Sequence, residues 1–127
     1  EYYGLTGAVV DAVNAKVAEL DVIRQTIVAR TETALHIYDP VATDVRIIRN
    51  AETNLGDLCA EAIRSVMDAD IGYINGGGIR ADVPAGELTF NHLLSVFPFN
   101  NTIVLAEVSG QTIKDMMEMT ISKHPTS

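Results

Sequence analysis

Cysteine is nearly absent from this chain. A single Cys59 cannot form an internal disulfide, which excludes a disulfide-stapled scaffold and leaves the apolar core to carry the fold. Positive charge is also scarce: nine Lys and Arg stand against seventeen Asp and Glu, a net charge of −8. Such a surface repels a phosphate backbone, so general nucleic-acid binding is excluded, and only a small anion remains open where a few arginines converge. No apolar run approaches the ~20 residues that cross a bilayer, so no membrane segment is expected. No basic stretch followed by an apolar one opens the chain, and so no signal peptide is visible. The first residue is Glu rather than Met, which predicts an excised or processed piece. Internal repeats and low-complexity tracts are lacking.

What is present is enough for one domain and too little for two: 127 residues, 47% of them hydrophobic, with slightly positive mean hydropathy. Residues 8–20 read as a helix, because Val10, Val13, Val17 and Leu20 fall on one face of a 3.6-residue period. Residues 24–38 are rich in Thr, Val and Ile and read as strand, followed by a turn at Asp39-Pro40 and a short β-prone run at 45–49. The next helix has the clearest period, with Leu55, Leu58, Cys59, Ala62, Ile63, Val66 and Met67 on one stripe and Thr53 or Asn54 as cap. Cys59 lies on that stripe and reads as a small core residue. Residues 70–74 read as a short buried strand entering three glycines. Pro84-Ala85-Gly86 makes a turn, residues 88–90 are extended, and 91–96 form one or two helical turns. Residues 102–108 read as strand. Ser109 caps a last helix whose face carries Ile113, Met116, Met117, Thr120 and Ile121, with the Met pair as core filler. The order predicts an α/β or α+β sandwich of helices and mixed sheet, in one domain over residues 1–127. A domain ending on this helix lacks neighbours for it, so the natural domain is expected to continue.

Three segments are able to carry chemistry. Asn75-Gly76-Gly77-Gly78-Ile79-Arg80 puts three glycines after a strand, which lets a ligand approach the backbone and successive N–H groups form an anion nest. Arg80 adds a forked, permanent charge suited to phosphate. The plain alternative is a tight strand-ending turn with a solvated Arg. The segment is neither a Walker loop nor a dinucleotide fingerprint. In the second segment Arg49 precedes a helix N-terminus, a position that favours anions, with Glu52 able to orient it; the alternative is an ordinary capped helix with charged shoulders. In the third, Phe97-Pro98-Phe99-Asn100-Asn101, aromatics around a proline offer a stacking face to a planar base, or else staple the loop to the core.

Taken in order, these segments resemble one family: the 5'-nucleotidases, with their relatives the UDP-sugar hydrolases and 2',3'-cyclic nucleotide phosphodiesterases. Its C-terminal domain carries Arg-x-x-Glu-x-Asn-Leu-Gly-x-Leu, then Asn-Gly-Gly-Gly-Ile-Arg, then Pro-Phe-x-Asn, then a Thr/Ser-Gly that starts a helix. Here the four stand as Arg49 to Leu58, Asn75 to Arg80, Pro98 to Asn101, and Ser109-Gly110. The stretch Pro84-Ala85-Gly86-Glu87-Leu88-Thr89 also resembles the family. The resemblance spans residues 45–121 and is weaker before them. Asn100 departs from the usual glycine, and Asn tolerates the left-handed region that such a turn uses.

The resemblance implies a substrate-binding role. Arg49 and Arg80 would contact phosphate or ribose and Asn75 the base edge. Phe99 would form one side of an aromatic clamp, Gly77 and Gly78 would allow close approach, and Asn101 would contact the ligand or brace the loop. No residue is assigned to catalysis or to a metal. In this family two divalent ions such as Zn or Mn, in a separate N-terminal metallophosphoesterase domain, perform the hydrolysis. The ligand motifs of that domain, Asp-x-His and Gly-Asn-His-Glu/Asp, are absent, and His36, His92 and His124 have no ligand spacing. The chain is therefore expected to hold part of a nucleotide or nucleoside site without the metals and to be inactive alone, within an extracellular, periplasmic or surface enzyme. Its partners would be the nucleotide and the N-terminal domain. Surface left uncovered by truncation is expected to drive homodimerisation or strand exchange. Two rival readings are a non-catalytic cell-surface binding or interaction module of the same fold and a structural fragment with a broken site.

Overall fold

The computed structural model describes residues 7–122. Five segments of regular structure frame a small core: helix α1 (Gly7–Arg24), strand β1 (Ile27–Thr31), helix α2 (Asn54–Met67), strand β2 (Gly86–Thr89) and helix α3 (Phe90–Val96). Helix α4 (Gly110–Ile121) follows a long extended segment, and a single 3-10 turn stands at Gly76–Gly78. The fold class is α+β. Where the sequence predicts a mixed sheet, the described residues contain one antiparallel pair, β1 with β2, with Ala29 opposite Leu88 and a register shift between Ile27 and Ala29.

The helices form where the sequence places them, because their signals are local. Thr53 is the cap of α2, its hydroxyl accepting from the Gly56 N–H at 3.1 Å. Ser109 caps α4 in the same way, accepting from the Thr112 N–H at 3.2 Å. Helix α1 extends four residues past its predicted end, and its apolar face stays exposed.

The extended segments depart further from expectation. The predicted strand 24–38 shortens to β1, because Arg24 still belongs to α1 and pairing resumes only as single bridges, Leu35 with Val83 and Tyr38 with Arg46. The run 45–49 supplies just that one bridge. Residues 70–74 and 102–108 form no strand: a strand needs a neighbour for its N–H and C=O groups, and none pairs with them among the described residues. Val104 is accordingly 80% exposed. The Met pair of α4 is not core filler; Met117 is 50% exposed and Met116 half-buried.

The core itself is small and lies under one loop. Leu35, Ile37, Leu55, Cys59, Ile79, Val83, Leu88 and Val96 pack together, with Ile48 and Ile74 against them. Ile79 and Val83 bracket the exit of the triglycine turn and Leu55 opens α2, so the apolar contacts that hold the fold also fix the three segments singled out above. Each such side chain contributes about 1.5–3 kcal/mol on burial.

Candidate functional site

The triglycine turn is held from several sides. Within it the Gly78 N–H donates to the Asn75 carbonyl at 2.9 Å. The Arg80 N–H donates to the Val96 carbonyl at 2.9 Å, tying the loop to the end of α3 and thereby to the Phe97–Phe99 segment. From below, the Arg46 Nη2 donates to the Gly76 carbonyl at 3.0 Å and to the Ile79 carbonyl. Glycine is required here by space rather than by φ. A Cβ on Gly76 would collide with the Ile48 carbonyl, and a Cβ on Gly77 would stand 3.0 Å from Arg49 Nη2 and 3.1 Å from Asn75 Nδ2. Any side chain at Gly77 would thus fill the space between two donors.

The sequence-predicted site residues converge on this turn. Arg49 and Asn75 meet at Gly77, and the Asn75 Oδ1 lies beside Gly78. The Arg80 Nη1 donates to the Gly77 carbonyl at 3.3 Å, and its guanidinium carbon lies 6.0 Å from the centroid of the Phe99 ring. That distance is the outer edge of a cation–π contact. Phe99 remains 52% exposed, so it is not consumed as a staple and its ring keeps surface for stacking. Asn101 is exposed and shares a groove of about 1370 Å³ with Asn75, Gly78 and Phe99. Most of the groove lining is apolar, from α2 and residues 101–108 among others, and Asn75 and Gly78 are the residues of the 75–80 loop that line it. Among the described residues only Asp68 and Gly86 take positive φ, so Asn100 does not use the left-handed region.

Three arginines therefore gather in a chain of net charge −8. The Arg46 guanidinium is held below its ordinary value, first by burial and then by the neighbouring charges of Arg80 and Arg49. No carboxylate forms an ion pair with Arg46 or Arg80 among the described residues. Like charges brought together in this way favour an anion.

Sequence reasoning missed Arg46, Asn54 as more than a cap candidate, and Asp82. Asn54 joins α2 to the segment before it: its Oδ1 accepts from the His36 N–H at 2.8 Å and its Nδ2 donates to the Ala34 carbonyl at 3.0 Å. The Asp82 carboxylate accepts from the Ile37 N–H at 2.6 Å. The available signal for Arg46 was a charge inside an apolar run, Val45-Arg46-Ile47-Ile48, which marks a guanidinium with buried partners. The described residues do not offer a metal site. No three His, Cys, Asp or Glu side chains converge, and the His92 Nδ1 accepts from the Thr89 N–H at the start of α3. His124 lies outside the described residues.

Comparisons with known proteins identify the family. The family described as "5'-nucleotidase, C-terminal domain" matches residues 27–127. The trifunctional nucleotide phosphoesterase protein YfkN of Bacillus subtilis is 38% identical over 91 residues, 67% of this chain and 6% of that protein. A 5'-nucleotidase of Vibrio parahaemolyticus is 35% identical over 80 residues, 63% of this chain and 14% of that protein. Among solved structures, that of a 5'-nucleotidase precursor from Thermus thermophilus superposes with a TM-score of 0.72 at 28% identity, covering 89% of this chain and 22% of that one. The chain thus spans a small part of each protein it matches.

Proposed function

The chain belongs to the 5'-nucleotidase C-terminal domain family, and from that premise we propose that it recognises the base, ribose and phosphate of a nucleotide for a metal-dependent phosphoester hydrolase. The observation that carries this reading is the meeting of Arg49, Asn75 and Arg80 on one triglycine turn, with Phe99 beside it. In this reading the guanidiniums of Arg49 and Arg80 bind phosphate or ribose through forked, charge-assisted hydrogen bonds. Asn75 presents both a donor and an acceptor to the base edge, and the base stacks on the Phe99 ring. Gly77 and Gly78 let the ligand reach the backbone, while Asn101 closes the loop side of the groove.

The described residues do not fit the two divalent ions that such hydrolysis uses, since no three His, Cys, Asp or Glu side chains converge among them. The reading assigns those ions to an N-terminal metallophosphoesterase domain, which with the nucleotide is the partner of this chain. It also places the enzyme outside the cytoplasm, in the periplasm or at the cell surface. The division of labour is tested by incubating the purified chain with AMP in the presence of Zn²⁺ or Mn²⁺. Binding without release of phosphate is expected. Turnover by the metal-supplemented chain, or no binding at all, contradicts it.

A further inference from the structure

Arg46 lies in the arginine cluster, but the nucleotide reading gives it no task. Its backbone bridges to Tyr38, and its side chain reaches the carbonyls of Gly76, the first residue of the triglycine turn, and Ile79, the residue just after it. One guanidinium thus holds both ends of a turn whose glycines have little rigidity of their own. The arrangement has a cost, because the Arg46 Nε is buried without a hydrogen-bond partner. A lysine would carry a methylene at that place and leave no orphan donor, but it is one bond shorter and would hold the two carbonyls less closely.

The clamp has a directional consequence. In a trans peptide the carbonyl and the following N–H point opposite ways. With the Gly76 carbonyl turned down to Arg46, the Gly77 N–H points away from it, and Arg49 Nη2 and Asn75 Nδ2 stand close to the same glycine. The same logic turns the Arg80 N–H away from Arg46, and it meets the Val96 carbonyl at 2.9 Å. Among the described residues no backbone carbonyl outside the helices and strands accepts from the Gly77 N–H.

We propose that Arg46 is a positioning residue: by clamping the Gly76 and Ile79 carbonyls it aims the Gly77 N–H, together with Asn75 and Arg49, at an acceptor oxygen of the bound nucleotide. This rests on the nucleotide reading for the identity of the ligand, and on geometry alone for the clamp. Two variants of the chain, Arg46→Met and Arg46→Lys, test both parts. Without ligand, amide hydrogen exchange at Gly78, whose N–H donates to the Asn75 carbonyl, is expected to rise about tenfold or more in Arg46→Met, as for loss of a charge-assisted hydrogen bond. AMP affinity by calorimetry is expected to fall by a similar factor while the melting transition persists, and Arg46→Lys is expected to recover part of both. In the unsubstituted chain the Arg46 guanidinium protons should exchange slowly by NMR, a readout that survives if a variant does not fold. Unchanged glycine exchange and AMP affinity in both variants, or rapidly exchanging Arg46 protons in the unsubstituted chain, overturn the inference. If the unsubstituted chain binds no AMP, the functional reading fails, and with it the aimed acceptor; glycine exchange still decides the clamp.

Discussion

At the scale of single residues, space and burial set the tolerances. Gly72 and Gly76 pass so close to the Ala60 and Ile48 carbonyls that no Cβ fits at either place. Gly76→Ala is therefore expected to lower stability by about 1–3 kcal/mol or more, the range for overpacking. Gly110 opens α4 with nothing near its would-be Cβ, so Gly110→Ala is expected to be neutral or to stabilise by up to about 1 kcal/mol. Chemical denaturation of the two variants separates these outcomes. Cys59 offers a test in pH. Burial pushes its thiol up to about 11 from an ordinary value of 9.0, so in that window the folded chain keeps a proton that the unfolded chain has lost. The corresponding stability is whole below about pH 9 and is lost as pH rises towards about 11. Denaturation midpoints should fall across that window, and less steeply in Cys59→Ala. In the native chain at pH 7 the thiol should resist alkylation, as a neutral buried thiol does.

At the scale of elements, what is local was legible. The apolar period of α2 and its Thr cap lie within a few turns of each other, and the folded helix follows them. Thr53→Ala is expected to cost about 1 kcal/mol, the usual worth of an N-cap. Asn54→Ala should add to that by freeing the His36 N–H and the Ala34 carbonyl, and a double variant measured by denaturation tells whether the two are coupled. Strands were less legible, because β propensity describes a pleated surface and pairing comes from elsewhere in the chain. Residues 102–108 have the composition of a strand, yet no partner pairs with them among the described residues. Likewise the candidate residues Arg49, Asn75, Arg80 and Phe99 were singled out because each sits in a segment with its own reason for notice. Arg46 was missed because its role appears only when residues 76 and 79 are folded above it.

At the scale of the whole molecule, two surfaces pull in different directions. The apolar side of α1 and the groove between α2 and residues 101–108 expose Val17, Leu20, Val66, Ile71, Val104 and Leu105 together with a charge of −8. Apolar surface of this kind favours association and dye binding, whereas like charge opposes association at long range. The chain is expected to bind an apolar fluorescent dye and to self-associate more strongly in about 0.5 M salt than at low ionic strength, because salt screens the repulsion and spares the apolar term. Sedimentation at two salt concentrations checks this; a monomer at both, without dye binding, contradicts it.

The same molecule gathers Arg46, Arg49 and Arg80 at the one loop where the family motifs meet, so a nucleotide should enter there and nowhere else. A two-dimensional ¹H–¹⁵N titration of the chain with AMP tests this most directly. The account predicts saturable shifts at Asn75, Gly77, Gly78 and Phe99 and at the Arg49 and Arg80 side chains, with adenosine moving Asn75 and Phe99 and leaving the arginines little changed. Shifts spread over α1 and α4 that spare the 75–80 loop, or no saturable shifts at all, contradict it.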